Sequence, residues 1–227
     1  MKIIIAGDTH GRFSELFKLE DMDPDLILQC GDFGYWPKIN ACQRAMAFFF
    51  LGMPCHFVDG NHEDHRALAE LRGADPKPRA HEIKENVIWQ DRGSTLTLPD
   101  GRTVLFAGGA FSVDWSVRTD GLDWFQAEEI LTERDFARFS GGKVDIVVSH
   151  TCPGRLTAPI LGDMARWEQP DPSRAVLDKV WDRYRPSMWF FGHWHTRISG
   201  LLDGCEWHAL APLDGSSPLK DGIFVME

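Results

Sequence analysis

Short apolar runs alternate with helix-period segments through most of the chain. Residues 3–6, 26–30, 56–59, 87–90, 104–107, 146–149 and 189–191 are dominated by apolar residues, and their shortness predicts buried strands. Between them, residues 14–19, 39–51, 64–71, 132–139 and 173–184 read as helices. The last of these opens on Asp171-Pro172-Ser173, a turn and cap signal, and stops before Pro186. Around Pro99-Asp100-Gly101-Arg102 two alternating segments flank a turn, which predicts an antiparallel hairpin. A second hairpin is expected near Asp203-Gly204, and residues 222–226 would supply a closing strand. This mixture predicts an α/β fold in which two sheets pack together with helices outside, rather than a wholly parallel sheet. No linker, repeat or low-complexity tract divides the 227 residues, so a single domain over 1–227 is expected.

The informative feature is where the polar residues fall. Five of the strand-like runs end in residues able to bind metal: one leads to Asp8-Thr9-His10, the next to Gly31-Asp32, and a third to Gly60-Asn61-His62-Glu63. The run at 146–149 leads to His150, and the run at 189–191 leads to Gly192-His193-Trp194-His195. Ligands of open α/β sheets bind beyond the carboxyl ends of strands, so these tips can converge on one cleft. The spacing of Asp8 to His10, and of His193 to His195, would point both side chains of each pair to one face of an extended segment. Mixed carboxylate and imidazole donors suit Mn, Fe, Ni, Co or Zn better than Ca.

Charge and cysteine content narrow the classes. A net charge of −10 is opposite to the footprint of a protein that grips a long phosphate backbone, so no stable double-stranded nucleic-acid binding is expected. It does not exclude phosphate chemistry, because bound cations outweigh nearby carboxylates. The five cysteines are odd in number and form no CxxC pair, which argues against a disulfide framework and a thiolate zinc site. The opening apolar run is too short for a signal peptide, and no stretch approaches the length of a membrane span. A cytoplasmic location away from membranes is the expectation.

Asp-x-His, Gly-Asp, Gly-Asn-His-Glu, a lone His after a strand and Gly-His-x-His stand here in the order found in calcineurin-like metallophosphoesterases. The chain resembles that superfamily from Asp8 to His195. The resemblance implies a four-layer α/β/β/α sandwich with two mixed sheets. It further implies two divalent ions per chain, with Mn2+ the first choice. Asp8, His10, Asp32 and His195 would hold one ion, and Asp32 would bridge to a second completed by Asn61, His150 and His193. His62 would lie outside the metal shell as the catalytic group, donating to the phosphate or to the leaving oxygen. Two such cations can clamp a phosphoryl group and activate water for attack on it.

The substrate is less legible. The serine/threonine protein phosphatases of the superfamily carry Gly-Asp-x-x-Asp-Arg-Gly, whereas this chain reads Gly31-Asp32-Phe33-Gly34-Tyr35-Trp36-Pro37, which puts a protein phosphatase role in doubt. The segment 108–114, followed by Trp124 and Glu128-Glu129, is similar to small bacterial and phage phosphodiesterases. The expectation is a phosphodiesterase acting on small nucleotides, 2′,3′-cyclic ones included. The alternatives are a phosphomonoesterase for nucleotides or nucleic-acid ends, and a non-catalytic metal-binding scaffold. Arg12, just after His10, is the candidate phosphate contact; Arg118, Arg155 and Arg166 read as solvated rim residues. Trp36, Trp115, Trp124, Trp167 and Trp194 are more often packing residues than base stackers. Glu63 and Asp59 read as orienters of ligands, His56, His65, His81 and His208 as surface or satisfied structural residues, with support of a ligand the alternative for His65, and the cysteines as buried apolar residues.

Overall fold

The computed structural model describes residues 1–162 and 169–227. Arg166 and Trp167 lie outside the described residues, as does part of the segment 151–170. Among those described, the strands form two six-stranded sheets. The first runs in the order β12 (Ile223–Met226), β1 (Ile3–Ala6), β2 (Leu26–Gln29), β3 (Cys55–Phe57), β5 (Val87–Gln90), β4 (Ala80–Lys84). The second runs β10 (Ile198–Leu202), β11 (Cys205–Ala209), β9 (Met188–Phe191), β8 (Ile146–Ser149), β7 (Thr103–Ala107), β6 (Thr95–Thr97). In each, neighbouring inner strands are parallel and both edge strands are antiparallel. Both sheets are therefore mixed.

Strand alternation shows how the layers stack. Ile3 and Ile5 of β1 share a core with Val104 and Phe106 of β7, Ile146 and Val148 of β8, and Phe190 of β9, so these faces of the two sheets meet. Ile4 and Ala6 point the other way and pack with Leu16 and Leu19 of α1 (Ser14–Glu20) and Leu68 of α3 (His65–Arg72). Val147, Trp189 and Phe191 likewise turn away from the first sheet, onto Val176, Leu177, Val180 and Trp181 of α7 (Pro172–Tyr184). Burial on both faces is why these strands read as unbroken apolar runs rather than alternating ones. The result is helices, sheet, sheet, helices.

Local chemistry sets the helix ends. Asp64 accepts from the Ala67 N–H at the start of α3, and Asp171 accepts from the Ser173 N–H ahead of Pro172 at the start of α7. Arg185 ends α7 in the left-handed region, before Pro186. Two helices are shorter than their sequence periodicity implies. α2 (Asn40–Ala47) occupies only part of 39–51: Cys42 and Met46 pack partly against the core, and Phe49 and Leu51 reach it beyond the helix end. After α4 (Gln126–Glu129), a Thr132–Asp135 capping box opens α5 (Glu133–Phe136). Strand β4 escaped the pattern reading because its largely polar sequence, Ala-His-Glu-Ile-Lys, lacks an apolar run. Both expected hairpins and the closing strand are present: β6 with β7, β10 with β11, and β12 antiparallel to β1.

Candidate metal centre

The parallel strands of both sheets deliver polar tips to one end of the sandwich. Asp8 follows β1, Asp32 follows β2, Asn61 and His62 follow β3, His150 follows β8, and His193 and His195 follow β9. Four of the seven expected ligands sit at left-handed backbone: His10 (φ 47), Asp32 (φ 51), His193 (φ 63) and His195 (φ 49). Such conformations cost about 1–3 kcal/mol each at non-glycine residues and concentrate at functional sites. The period-two spacing implies extended backbone at 8–10 and 193–195, and here the structure differs. Sharp turns, not alternation, bring these side chains together.

Asp8 and Asp32 are the buried acceptors of the cluster. Asp32 Oδ1 lies 3.4 Å from His150 Nε2 and accepts from the His62 N–H at 2.8 Å. Its other oxygen lies 3.6 Å from His10 Nδ1 and 3.9 Å from His62 Nε2. Asp8 Oδ2 lies 3.3 Å from His195 Nε2 and accepts from the His193 N–H at 3.0 Å. Asn61 Oδ1 faces His150 Nε2 at 3.0 Å, and the rings of His150 and His193 meet edge to face at 5.0 Å. Glycines make the approach possible: a Cβ on Gly192 would stand 1.8 Å from Asp8 Oδ1, and one on Gly60 would stand 2.2 Å from Asp32 Oδ1.

The donor set fits a divalent cation. Asp8, His10 and His195 form one triad with ligand atoms within 4.8 Å of one another; Asp8, Asp32 and His150 form another. His10 Nε2 and His195 Nε2 are 3.3 Å apart. Two nitrogens each about 2.0–2.1 Å from one tetrahedral ion would stand about 3.4 Å apart. Electrostatics agree. Burial alone would depress the His150 imidazole, but Asp32 and Asp8 beside it push it up to about 10. Burial would likewise raise the Asp32 carboxyl, yet His150 and His62 hold it well below the usual carboxylate range. Carboxylates that favour imidazolium this strongly favour a metal ion for the same reason. His193, by contrast, is pushed down to about 3 by burial and by His150, leaving a neutral imidazole lone pair.

The calcineurin-like phosphoesterase profile matches residues 1–197, which contain every one of these side chains. The chain belongs to that family. It is a hydrolase of phosphate esters in a metal-dependent family. No curated protein matches the sequence. Among solved structures, phosphopantetheinyl hydrolase from Mycobacterium tuberculosis is similar with TM-score 0.51 at 10% identity, over 93% of this chain and 90% of that one. An archaeal phosphodiesterase is similar with TM-score 0.45 at 15% identity, over 100% of this chain and 99% of that one. At such identities the first likeness shows the fold.

Around the cluster of this calcineurin-like phosphoesterase runs a second set of contacts that the sequence did not reveal. Asn61 Nδ2 donates to Ser112 Oγ at 3.2 Å, and Ser112 donates to Glu129 Oε2 at 2.6 Å. This relay turns the Asn61 oxygen toward His150. Arg92 then anchors Glu129's segment: it donates to the carbonyls of Glu128, Glu129 and Ile130 while its Nε and Nη2 grip Asp59 Oδ2 at 2.8 and 2.6 Å. Glu63 accepts from the N–H groups of Gly34 and Gly60, tying together the turns after β2 and β3. The only sequence signal for Ser112 and Glu129 was the resemblance carried by 108–114 and Glu128-Glu129.

Arg118 departs most from its rim reading. Its Nη2 contacts the His62 imidazole, with Nδ1 at 2.6 Å, while its Nε donates to Asp114 Oδ2 at 2.8 Å. Arg155 is held by Asp178 and Asp182, away from phosphate chemistry, and Arg12 is exposed beside the site. His65 packs edge to face on Phe125, and its Nε2 has no hydrogen-bond partner, so it orients no ligand through that atom. His56, His81 and His208 pair with Gln90 or pack on Trp89 and Phe190, which are structural roles. Cys30, Cys55, Cys152 and Cys205 are buried, whereas Cys42 is half-buried.

Proposed function

We propose that this chain is a dinuclear metal-dependent phosphodiesterase acting on small nucleotide substrates, with 2′,3′-cyclic nucleotides within its range. The observation that carries the reading is the division of Asp32. One oxygen faces His150, the other faces His10 and His62, so a single carboxylate stands between two groups of donors. In this reading Asp8, His10, Asp32 and His195 hold one ion; Asp32, Asn61, His150 and His193 hold the other. Mn2+ is the first candidate, with Fe, Ni, Co and Zn compatible with the same donors. When bound, such a pair supplies Lewis-acid activation of the phosphoryl group and of water.

The chain's own residues supply orientation and proton transfer. Asp32 receives the His62 N–H, which sets the imidazole beside the carboxylate shared by both donor groups. From there His62 donates to the phosphate or to the departing oxygen as water adds to phosphorus and the ester P–O bond breaks. Arg118 beside it offers a guanidinium to a phosphoryl oxygen. Arg12, exposed after His10, is a weaker candidate for the same contact. Among the described residues no helix is long and apolar enough to cross a membrane, and the net charge of −10 disfavours long nucleic acids. A small soluble ester in the cytoplasm, handled by one domain spanning 1–227, is the setting we infer.

Purified protein loaded with Mn2+ and assayed on bis-p-nitrophenyl and mono-p-nitrophenyl phosphate tests this reading. We expect hydrolysis of the diester and about two metal ions per chain by elemental analysis. Hydrolysis of the monoester alone would transfer the chain to the phosphomonoesterases. A biological effect that survives His62→Ala unaltered while turnover falls would favour a metal-binding scaffold.

A further inference from the structure

Beside the cluster opens a cavity of about 450 Å³, within the range of about 300–1,000 Å³ typical of small-molecule sites. His10 and His62 form its polar end. The rest of its wall is apolar, with Trp36, Phe13 and Ile39 facing Ala41 and Ala45 of α2. Among the described lining residues there is no lysine, arginine or carboxylate. Trp36 is held in place at two points: its Nε1 donates to the His62 carbonyl at 2.7 Å, and its ring stacks on Phe125 at 6.0 Å. Trp36 is thus tied to the backbone of His62 and to Phe125.

Ala41 and Ala45 lie one turn apart, on the same side of α2, and both are exposed. Small side chains at these positions leave the space open.

We propose that this cavity is the subsite for the leaving group, and that it takes an ester group ending in an uncharged flat ring, the aryl of an aryl ester or the base of a nucleoside. The inference rests on the reading of His62 as donor to the departing oxygen, because the cavity starts at that imidazole. The absence of charged groups along the wall disfavours a polyphosphate chain or a zwitterionic headgroup, whose charges would be stripped of water without a partner. A planar ring instead offers its faces to Trp36 and its edge to the aliphatic wall. The expected specificity is set by the segment from Gly34 to Ala45.

The test uses two fillers, Ala45→Phe and Ala41→Phe, whose exposed positions keep the core intact; a thermal midpoint matching the native chain verifies folding. Adenosine and 4-nitrophenol, the latter in buffer acidic enough to keep it protonated and uncharged, are titrated calorimetrically into the Mn-loaded proteins, and inorganic phosphate is titrated separately. We expect the fillers to weaken ring binding about tenfold or more. Phosphate binding, which addresses the metal cluster, should stay within about twofold. Binding of adenosine alone assigns the base as occupant, and binding of 4-nitrophenol alone assigns a simple aryl group. The proposal is overturned if neither probe binds the native protein, if both fillers bind the ring as the native chain does, or if phosphate affinity falls in parallel. These titrations need no turnover. A protein that binds the ring but hydrolyses no ester would therefore sink the phosphodiesterase reading and leave a ring-binding cavity.

Discussion

Arg118 places its guanidinium 2.6 Å from His62 Nδ1, although the two residues are 56 positions apart in the chain. Burial depresses the His62 imidazole; Asp32 opposes this and Arg118 adds to it, with the net shift downward. Removing the guanidinium would free His62 from its neighbour and take away a phosphate-sized donor. Arg118→Ala should lower kcat/KM for bis-p-nitrophenyl phosphate by about 10–100-fold, with Arg118→Lys recovering part of the loss. Metal content, measured by elemental analysis, should be unchanged. Unaltered kinetics in both variants would show that the contact is only structural.

His62→Ala separates metal binding from proton transfer. Its side chain is outside both candidate metal triads, yet touches Asp32 and Arg118. Turnover should fall by about 10²–10⁴-fold, the usual contribution of a positioned acid or base. Bound metal should match the native protein. A parallel loss of metal would move His62 into the ligand set.

Ser112→Ala breaks the link between Asn61 and Glu129 while leaving every expected metal ligand in place. The Asn61 amide loses the acceptor of its Nδ2 group and becomes free to rotate its oxygen away from His150. Metal affinity should drop by about 10–100-fold, as for other outer-shell partners. Competition with a chelator of known affinity measures this directly, and an affinity equal to that of the native chain would remove the relay from the account.

Asp59→Ala should reduce stability more than activity. Asp59 and Arg92 are buried and doubly bonded, so deletion leaves the guanidinium only its longer contact to Asp135 at 3.5 Å. Removing one partner of a buried pair costs about 3–5 kcal/mol, and Asp135 places the loss toward the lower end. Urea unfolding would read it as a shifted midpoint at constant slope. Replacing the pair together, Asp59→Leu with Arg92→Met, should recover part of the loss.

His65 makes stability depend on pH. Burial, only partly opposed by Asp59, pushes its folded pKa down to about 4, against 6.5 when unfolded. Above pH 6.5 the imidazole is neutral in both states and its contribution is complete. Between 6.5 and about 4 the unfolded chain binds a proton that the folded chain refuses, so stability falls as pH falls; below about 4 the slope vanishes. The loss attributable to this one group is about 3 kcal/mol. His65→Asn should flatten the dependence of the urea midpoint on pH across that window, and an unchanged slope would assign the acid lability elsewhere.

Much of the fold was legible because its determinants are local. The unbroken apolar stretch of β1, the Pro99–Arg102 turn and the Asp171-Pro172 cap each act through near neighbours. The polar tips that meet at one end of the sandwich were legible too, since each sits within a few residues of a strand end. β4 was not, because its pairing with β5 decided it, and nor was the point at which α2 ends.

Sequence by itself determined which side chains could act: polar tips after apolar strands, in an order that marks the family. Only the tertiary structure decided which distant groups serve them. Ser112 reaches Asn61 across 51 positions, Arg118 reaches His62 across 56, and the wall of the cavity combines the turn after β2 with α2. Such meetings depend on strand order and on how two sheets face each other. Neither is encoded in the spacing of residues along any one segment.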